Sequence, residues 1–287
     1  MRIGYSTWGM RDLPIEEALP AIARIGYQGV ELSVAPGWTT ELYSLDAAKR
    51  AYIRRFLAEH GLVLTSVIRN VSMVEEDEQA KGGEYTAAAN MQSLRDAIDL
   101  TAELATPGEP AVMTTHLGGR PEDWEALRGL AVERLLELAG YAAARKVIIA
   151  VEIHSGSMLN LPERVIWLFD QVRHPAVRLN FDISHMEVMG IGIDQSVPVL
   201  APYSIHTHVK DQRGRYPNLE FLTPGEGPFD FVHYLKAMQD AGYTGFVTVE
   251  VSIMVQNRPH YDPFFHAQLA YWTLRKAFYV AGIEPGM

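Results

Sequence analysis

The chain has 287 residues, of which 48% are hydrophobic and 21% are charged, and its formal net charge is −10. These fractions are ordinary for a soluble globular protein, and the acidic balance argues against a broad nucleic-acid or anionic-membrane surface. The lack of cysteine excludes disulfides and thiolate metal ligands. No run approaches the roughly 18 apolar residues of a membrane span, and no secretory signal pattern is visible. We therefore expect a cytoplasmic protein.

Short apolar runs alternate with helical patterns along the whole chain. The runs predict eight strands, over residues 2–6, 29–33, 62–68, 111–116, 147–153, 177–182, 203–209 and 246–251. The intervening patterns predict helices over residues 14–26, 46–60, 84–105, 121–145, 161–173, 189–200, 229–242 and 260–281. Alternation of this kind indicates a parallel sheet, and eight βα units match the closure of a (β/α)₈ TIM barrel. We expect an α/β protein with one such barrel domain over residues 1–287, because no linker or low-complexity tract interrupts the pattern.

Two longer stretches interrupt the short loops that are usual in such barrels. Residues 69–90 are polar in their middle, and residues 210–228 follow the seventh predicted strand. Long βα loops of a barrel lie over the mouth and carry function. Both stretches are therefore predicted to be lid loops.

Four potential metal ligands lie at the ends of four successive predicted strands: Glu152, Asp182, His208 and Glu250. They are separated by 30, 26 and 42 residues, and each interval has room for one helix and two loops. In a parallel barrel the carboxyl ends of the strands meet at one rim. Three carboxylates and an imidazole suit one divalent cation, with Mn²⁺ as the first choice and Mg²⁺, Co²⁺ or Zn²⁺ as alternatives.

Strand alternation directs these side chains into the barrel, where an unpaired carboxylate costs several kcal/mol. The alternative to a cation is a set of buried ion pairs, for which the candidate partners are Lys210, Arg178 and Arg213.

The residues around the four ligands carry a family resemblance. The phrases VEIH, DISH and IHTHVKD, together with the PGEGPFDF and TGFVTVE ending, resemble the sugar-phosphate isomerase/epimerase group of xylose-isomerase-like barrels. That group includes ketose 3-epimerases, hydroxypyruvate isomerases, inosose dehydratases and, more distantly, endonuclease IV nucleases. The resemblance covers the whole chain in layout and is most specific between residues 147 and 251.

The resemblance implies a role for each matched residue. Glu152, Asp182, His208 and Glu250 would be the ligands, and His185 would contact the substrate or support the ligands. Glu152 and Glu250 would also exchange a proton next to a metal-polarised substrate carbonyl, through an enediolate.

Further residues at predicted strand ends are candidates for substrate contact. They are His116 after strand 4, Glu31 on strand 2, His154 after Glu152, Trp8 after strand 1, and Lys210 and Arg213 after His208. Lys210 and Arg213 could neutralise an enediolate or a phosphate, or could be exposed loop cations. Glu31 is a candidate for binding substrate hydroxyls, with a capped structural carboxylate as the alternative. His154 could equally be a surface histidine and Trp8 a packing tryptophan. His206, one pleat below His208, is expected to be a hydrogen-bonded interior histidine.

The predicted function is a metal-dependent isomerase or epimerase of a keto-sugar. A lyase of the same superfamily, which dehydrates a keto-inositol or cleaves a C-glycoside or 3-keto-glycoside, is the alternative and could require a partner subunit. A homo-oligomer is also compatible with the sequence, and a small sugar is the expected ligand. An abasic-site endonuclease would need three zinc ions and more histidines, but residues 209–231 contain none. A non-enzymatic sugar-binding barrel would not need both glutamates.

Overall fold

The computed structural model describes residues 1–74 and 87–286. Eight parallel strands form a closed barrel in the order β1 (Arg2–Ser6), β10 (Phe246–Val249), β7 (Ser204–Val209), β6 (Val177–Asp182), β5 (Val147–Glu152), β4 (Ala111–Thr115), β3 (Val63–Ile68) and β2 (Gly29–Ser33). The barrel closes where β1 pairs with β10, with Arg2 beside Phe246 and Tyr5 beside Val249. The predicted (β/α)₈ architecture is therefore confirmed, including the pairing of the first and last barrel strands.

The eight predicted strands and the eight predicted helices occur in the predicted order with shifts at their ends, and two short helices and a hairpin are additional. The barrel strands are β1 (Arg2–Ser6), β2 (Gly29–Ser33), β3 (Val63–Ile68), β4 (Ala111–Thr115), β5 (Val147–Glu152), β6 (Val177–Asp182), β7 (Ser204–Val209) and β10 (Phe246–Val249). The helices are α1 (Ile15–Ile25), α2 (Ala47–Glu59), α3 (Ala87–Leu104), α4 (Trp124–Ala144), α5 (Pro162–Val172), α6 (Ile183–Val188), α7 (Ile193–Leu200), α8 (Phe231–Asp240), α9 (Ile253–Gln256) and α10 (Pro263–Ala281).

Local signals in the sequence explain several helix ends. Helix α2 begins after Asp46, whose carboxylate accepts a hydrogen bond from the Lys49 amide at 2.8 Å. Helix α1 ends at Gly26, which adopts a left-handed conformation with φ of 109°. No helix within the described ranges is both long enough and apolar enough to cross a bilayer.

The loop prediction for residues 210–228 is wrong in part. The segment contains an antiparallel hairpin of β8 (Asp211–Arg215) and β9 (Asn218–Leu222). Asp211 is buried, and its carboxylate accepts hydrogen bonds from the amides of Gly225, Gly227 and Phe229 at 2.9–3.1 Å. The hairpin and the chain that follows it are thereby tied together over the barrel mouth.

Two further predictions concern the helix over residues 189–200 and the lid loop over residues 69–90. The helix predicted over 189–200 is α7, which begins at Ile193, and the short helix α6 immediately after β6 was not predicted. Most of the predicted lid over 69–90, namely residues 75–86, lies outside the described residues.

Candidate metal centre at the barrel mouth

The four predicted ligands meet at the carboxyl ends of the strands. Each of Glu152, Asp182, His208 and Glu250 offers one ligand atom, and these atoms all lie within 4.8 Å of one another. Strand register produces this convergence, since Asp182 on β6 lies directly beside His208 on β7. Glu250 follows β10 and donates its amide to Val209 at 3.2 Å, which extends the sheet by one residue. The predicted proximity of the four side chains is confirmed.

The His208 ring has a different partner on each nitrogen. Nδ1 lies 3.0 Å from Oε1 of Glu152, 3.1 Å from Nδ2 of Asn180 and 3.8 Å from Oε1 of Glu250. Nε2 points the other way, and lies 2.8 Å from Oε1 of Glu31. Only Nδ1 therefore faces the cluster of carboxylates.

Lys210 places a positive charge within the same cluster. Its ammonium group is buried and forms ion pairs with Oδ2 of Asp182 and Oε2 of Glu250. Burial opposes the charge, but Asp182 and Glu250 outweigh it and raise the pKa of Lys210. Burial likewise acts to raise the pKa of Asp182, yet Lys210 and His185 hold it well below its usual range. The ion pairing considered from the sequence is thus present, with Lys210 as the partner.

Glu152 and His208 have strongly perturbed proton affinities. Burial raises the pKa of Glu152 to about 7, against the opposing effect of its hydrogen bond with His208. Burial works to lower the pKa of His208, but Glu31 and Glu250 raise it well above its usual value. Perturbed groups of opposite kinds in one cleft are typical of functional sites.

Asp182 also organises the helix that follows it. It is the N-cap of α6, and its Oδ1 accepts a hydrogen bond from the Ser184 amide at 2.9 Å. This cap brings His185 back over the cluster, with Nε2 3.6 Å from Oδ2 of Asp182. The Ser155 hydroxyl lies 3.0 Å from Nδ1 of His185 and fixes the ring from its other side.

A cavity of about 1170 Å³ opens above the cluster. Glu152 and Glu250 line it, whereas Asp182 and His208 are fully buried beneath it. Five of the predicted substrate-contact residues also line it: Trp8, His116, His154, His185 and Lys210. The His154 and His185 rings lie against each other with centroids 3.9 Å apart.

Two predicted substrate-contact residues lie elsewhere. Glu31 is fully buried below His208, because its strand position directs the carboxylate into the barrel rather than to the mouth. The Arg213 side chain is 63% exposed and pairs with Glu220 across the hairpin, because β8 turns it outward. His206 is a buried, hydrogen-bonded interior histidine, as predicted.

The sequence interpretation missed residues that the hairpin and the outer loops bring to the cavity. Phe221 on β9 packs edge-on against His185, with ring centroids 4.8 Å apart, and lies 5.4 Å from the Lys210 ammonium. The alternation in NLEFL was the available signal for this strand. Trp38 stacks on Trp8 at 4.2 Å, so the wall at Trp8 has a second aromatic layer.

Comparison with known proteins agrees with the geometry. The family model described as the xylose isomerase-like TIM barrel matches residues 19–262. The chain belongs to this family.

Relatives of this xylose isomerase-like barrel include proteins with different named reactions. The chain is 28% identical to the rhizopine catabolism protein MocC of Rhizobium meliloti, over 95% of this chain and 84% of that protein. It is 24% identical to L-ribulose 3-epimerase of Methylomonas sp., over 82% and 77% of the two chains. It is also 27% identical to an inosose dehydratase of Clostridium perfringens, over 45% and 47%. The family context is that of sugar epimerases, isomerases and dehydratases.

The fold has close counterparts among solved structures. One is the IOLI protein crystallised with a bound zinc atom, which superposes with a TM-score of 0.74 at 18% identity and covers 98% of both chains. At this identity the similarity establishes the fold.

Proposed function

We propose that this protein is a divalent-cation-dependent isomerase or epimerase of a keto-sugar, which moves a proton at the carbon next to a carbonyl group. One observation carries the proposal: of the four clustered ligand side chains, Glu152 and Glu250 reach the cavity, while Asp182 and His208 are buried behind them. Two carboxylates thereby approach the same space from β5 and from the end of β10. Such a pair suits proton removal on one side of a carbon and proton return on the other.

The residues fit a divalent cation by their chemistry and spacing. Three carboxylates and Nδ1 of His208 provide oxygen and imidazole donors, within 4.8 Å of one another. Carboxylate and imidazole sites bind Mn²⁺, Mg²⁺, Co²⁺ and Zn²⁺, and the zinc atom in the similarly folded IOLI protein agrees with such a site. When bound, the cation would supply the charge that polarises a substrate carbonyl.

Two glutamates and a lysine have proposed roles in the proton steps. Glu250, held by Lys210, is the proposed base that removes the proton next to the carbonyl. Glu152 is the proposed acid, because it reaches the same cavity from β5 and so approaches the substrate from a different strand than Glu250. Lys210 lies against Asp182 and Glu250 and would offset negative charge that develops on the substrate.

The site of proton return determines the reaction. Return to the opposite face of the same carbon gives epimerisation, and return to the neighbouring carbon gives aldose–ketose isomerisation. His185 and Phe221 lie beside the two glutamates in the cavity and are placed to select the substrate that is held there.

The test is proton exchange with solvent. The purified protein, loaded with Mn²⁺, is incubated in D₂O with a panel of ketoses and keto-inositols, and deuterium at the carbon next to the carbonyl is measured by NMR. We expect exchange with at least one keto-sugar, which is abolished by a chelator and restored by Mn²⁺. A panel that shows exchange nowhere, or exchange that survives complete removal of metal, contradicts the proposal.

A lyase is the second candidate, because an inosose dehydratase is among the relatives. Elimination begins with the same proton removal but ends with loss of water or a sugar-linked leaving group. Mass spectrometry of the same incubations separates the two functions: an isomer keeps the substrate mass, and an elimination product does not. Co-purification of a second subunit would favour a C-glycoside-cleaving enzyme.

A further inference from the structure

A layer of buried polar side chains lies directly below the cluster. It contains Glu31, Ser66, Asn180, His206 and Thr248, each on a different strand and each at most 2% exposed. The interior of a TIM barrel is usually filled by branched apolar residues. Buried polar groups cost free energy unless they are hydrogen-bonded, so this layer requires an explanation.

Glu31 links the polar layer to the cluster. Its Oε1 lies 2.8 Å from Nε2 of His208, and its Oε2 accepts a hydrogen bond from the Ser66 hydroxyl. Strand register makes both contacts possible, because an irregularity between Val30 and Glu31 brings Ser66 beside Glu31. Irregularities of this kind re-aim side chains near functional sites.

The Glu31 contact determines which ring nitrogen of His208 faces the cluster. Oε2 of Glu31 already accepts the Ser66 hydroxyl, and Oε1 lies within hydrogen-bond distance of Nε2 of His208. A carboxylate accepts hydrogen bonds, so the Nε2–H group of His208 is the donor in this contact. Nδ1 is left to face the cluster, 3.0 Å from Oε1 of Glu152 and 3.1 Å from the amide nitrogen of Asn180.

We propose that Glu31 is a positioning residue for the cation site, which holds His208 by its Nε2–H so that Nδ1 is presented as a ligand. The inference rests on the cation site proposed above. A histidine that binds a metal commonly donates its other N–H to a carboxylate, which fixes the tautomer and strengthens the ligating nitrogen. Glu31 supplies that carboxylate from a strand that contributes none of the four ligands.

A second cation held by Glu31, His206 and His208 is the competing explanation, since these three also lie within 4.8 Å of one another. Their polar atoms are already engaged. Nδ1 of His206 lies 3.1 Å from Oδ1 of Asn180, and Nε2 lies 3.2 Å from the Thr248 hydroxyl. A cation there would have to break these contacts and the Glu31–His208 hydrogen bond, so the existing contacts favour a supporting layer.

The experiment compares Glu31→Gln and Glu31→Ala with a control variant, Thr248→Val. Gln keeps the size of the side chain and an acceptor oxygen but removes the charge, and Ala removes the contact altogether. Thr248→Val removes a buried hydroxyl of the same layer, which lies 3.2 Å from Nε2 of His206. Mn²⁺ affinity is measured by electron paramagnetic resonance, and thermal unfolding without metal establishes that each variant is folded.

We expect Mn²⁺ affinity to fall about 10-fold in Glu31→Gln and about 100-fold in Glu31→Ala, the range typical of a lost carboxylate partner. The Mn²⁺ affinity of the control variant Thr248→Val should stay within about 3-fold of the wild-type affinity. Spectra of ¹⁵N-histidine-labelled, Zn²⁺-loaded protein provide a second readout. Wild type should show one metal-shifted histidine with its proton on Nε2, and Glu31→Gln should show a mixture of tautomers.

The outcomes separate this inference from the proposed function. If wild type binds Mn²⁺ but folded Glu31→Gln keeps wild-type affinity and a single tautomer, the role of Glu31 is refuted and the cation site stands. If wild type binds no divalent cation, both are refuted. Two equivalents of Mn²⁺ in wild type, reduced to one in Glu31→Gln, would establish the second site in place of the positioning role.

Discussion

Lys210 donates a hydrogen bond to Oε2 of Glu250 at the floor of the mouth cavity. The other oxygen of Glu250 lies 3.8 Å from Nδ1 of His208 and faces the ligand cluster. The two oxygens of one carboxylate thus have different neighbours, an ammonium group and the proposed cation site. This arrangement holds Glu250 in one orientation, which a base that acts on a fixed carbon requires.

Replacing Glu250 with Gln should stop proton transfer and leave the cation in place. Gln keeps a carbonyl oxygen for the cation but cannot accept a proton, so we expect exchange of the substrate proton to fall by at least about 10²-fold, the usual effect of a lost general base. Mn²⁺ affinity should change much less. Glu220→Gln, on the exposed hairpin, is the matched control. If folded, Mn²⁺-loaded Glu250→Gln exchanges the substrate proton at the wild-type rate, Glu250 is not the base. The base would then be Glu152, His185 or Lys210.

Replacing Lys210 with Met should affect binding and catalysis in opposite directions. The ammonium group contacts Asp182 and Glu250, both proposed ligands, so its loss leaves the site more negative. We expect Mn²⁺ to bind at least about 10-fold more tightly, since one nearby charge is worth a few kcal/mol at an effective dielectric constant near 20. Turnover should fall about 10²-fold or more, because a charge-stabilising donor is lost.

The Lys210→Met variant also tests the ion pairs themselves. Removal of one partner of a buried pair costs about 3–5 kcal/mol, so the metal-free variant should unfold at a lower temperature and Mn²⁺ should restore much of the loss. Calorimetry with and without Mn²⁺ measures both effects. Weaker Mn²⁺ binding together with normal turnover would assign Lys210 a purely structural role.

The barrel and the four ligands could be predicted because both follow from local patterns. Apolar runs of about six residues, separated by helical patterns, define βα units, and in Glu152, Asp182 and His208 a ligand-type residue stands at or near the end of such a run. Parallel strands of a closed barrel have only one rim where those ends meet. The convergence was therefore fixed by topology rather than by any particular loop.

The remaining parts of the site depend on tertiary register, which one sequence does not reveal. Glu152 is the last residue of β5, whereas Glu31 lies in the middle of β2 and its carboxylate is buried below His208 instead of at the mouth. Arg213 and Phe221 lie on opposite strands of the hairpin, and its orientation turns the arginine outward and the phenylalanine inward. The packing of the hairpin on the barrel determines which of these two side chains reaches the cavity. Asp211 contributes to this packing through its hydrogen bonds to the loop that follows the hairpin.

Replacing Asp182 with Asn should weaken cation binding and leave the proton chemistry otherwise intact. Asn retains an oxygen that can accept the Ser184 amide, so α6 keeps its cap. The lost charge lowers cation affinity, and we expect activity at low Mn²⁺ to fall at least about 10-fold and to recover in part as Mn²⁺ is raised. Asp194→Asn, at an 81% exposed side chain on α7, is the control. Activity that does not respond to Mn²⁺ would show that Asp182 acts in the chemistry itself.

His116 at the cavity wall should make the metal-free protein less stable in mild acid. Burial lowers the pKa of His116 to about 4, from an ordinary value of 6.5 in the unfolded chain. Between those two pH values the unfolded chain binds a proton that the folded protein does not, so stability falls as the pH drops through this window. This pKa shift, discounted because the His116 side chain is only partly buried, corresponds to about 2 kcal/mol of unfolding free energy.

The variant His116→Gln isolates this contribution. Glu152, with a pKa raised to about 7, binds a proton in the folded state over part of the same window and opposes the histidine effect. The quantity to compare is therefore the slope of unfolding free energy against pH, measured by urea unfolding with a chelator present. Between about pH 6.5 and 4, His116→Gln should lose stability less steeply than wild type. The reason is that up to one proton is no longer taken up on unfolding. Equal slopes for wild type and His116→Gln would mean that the folded protein protonates His116 as readily as the unfolded chain does.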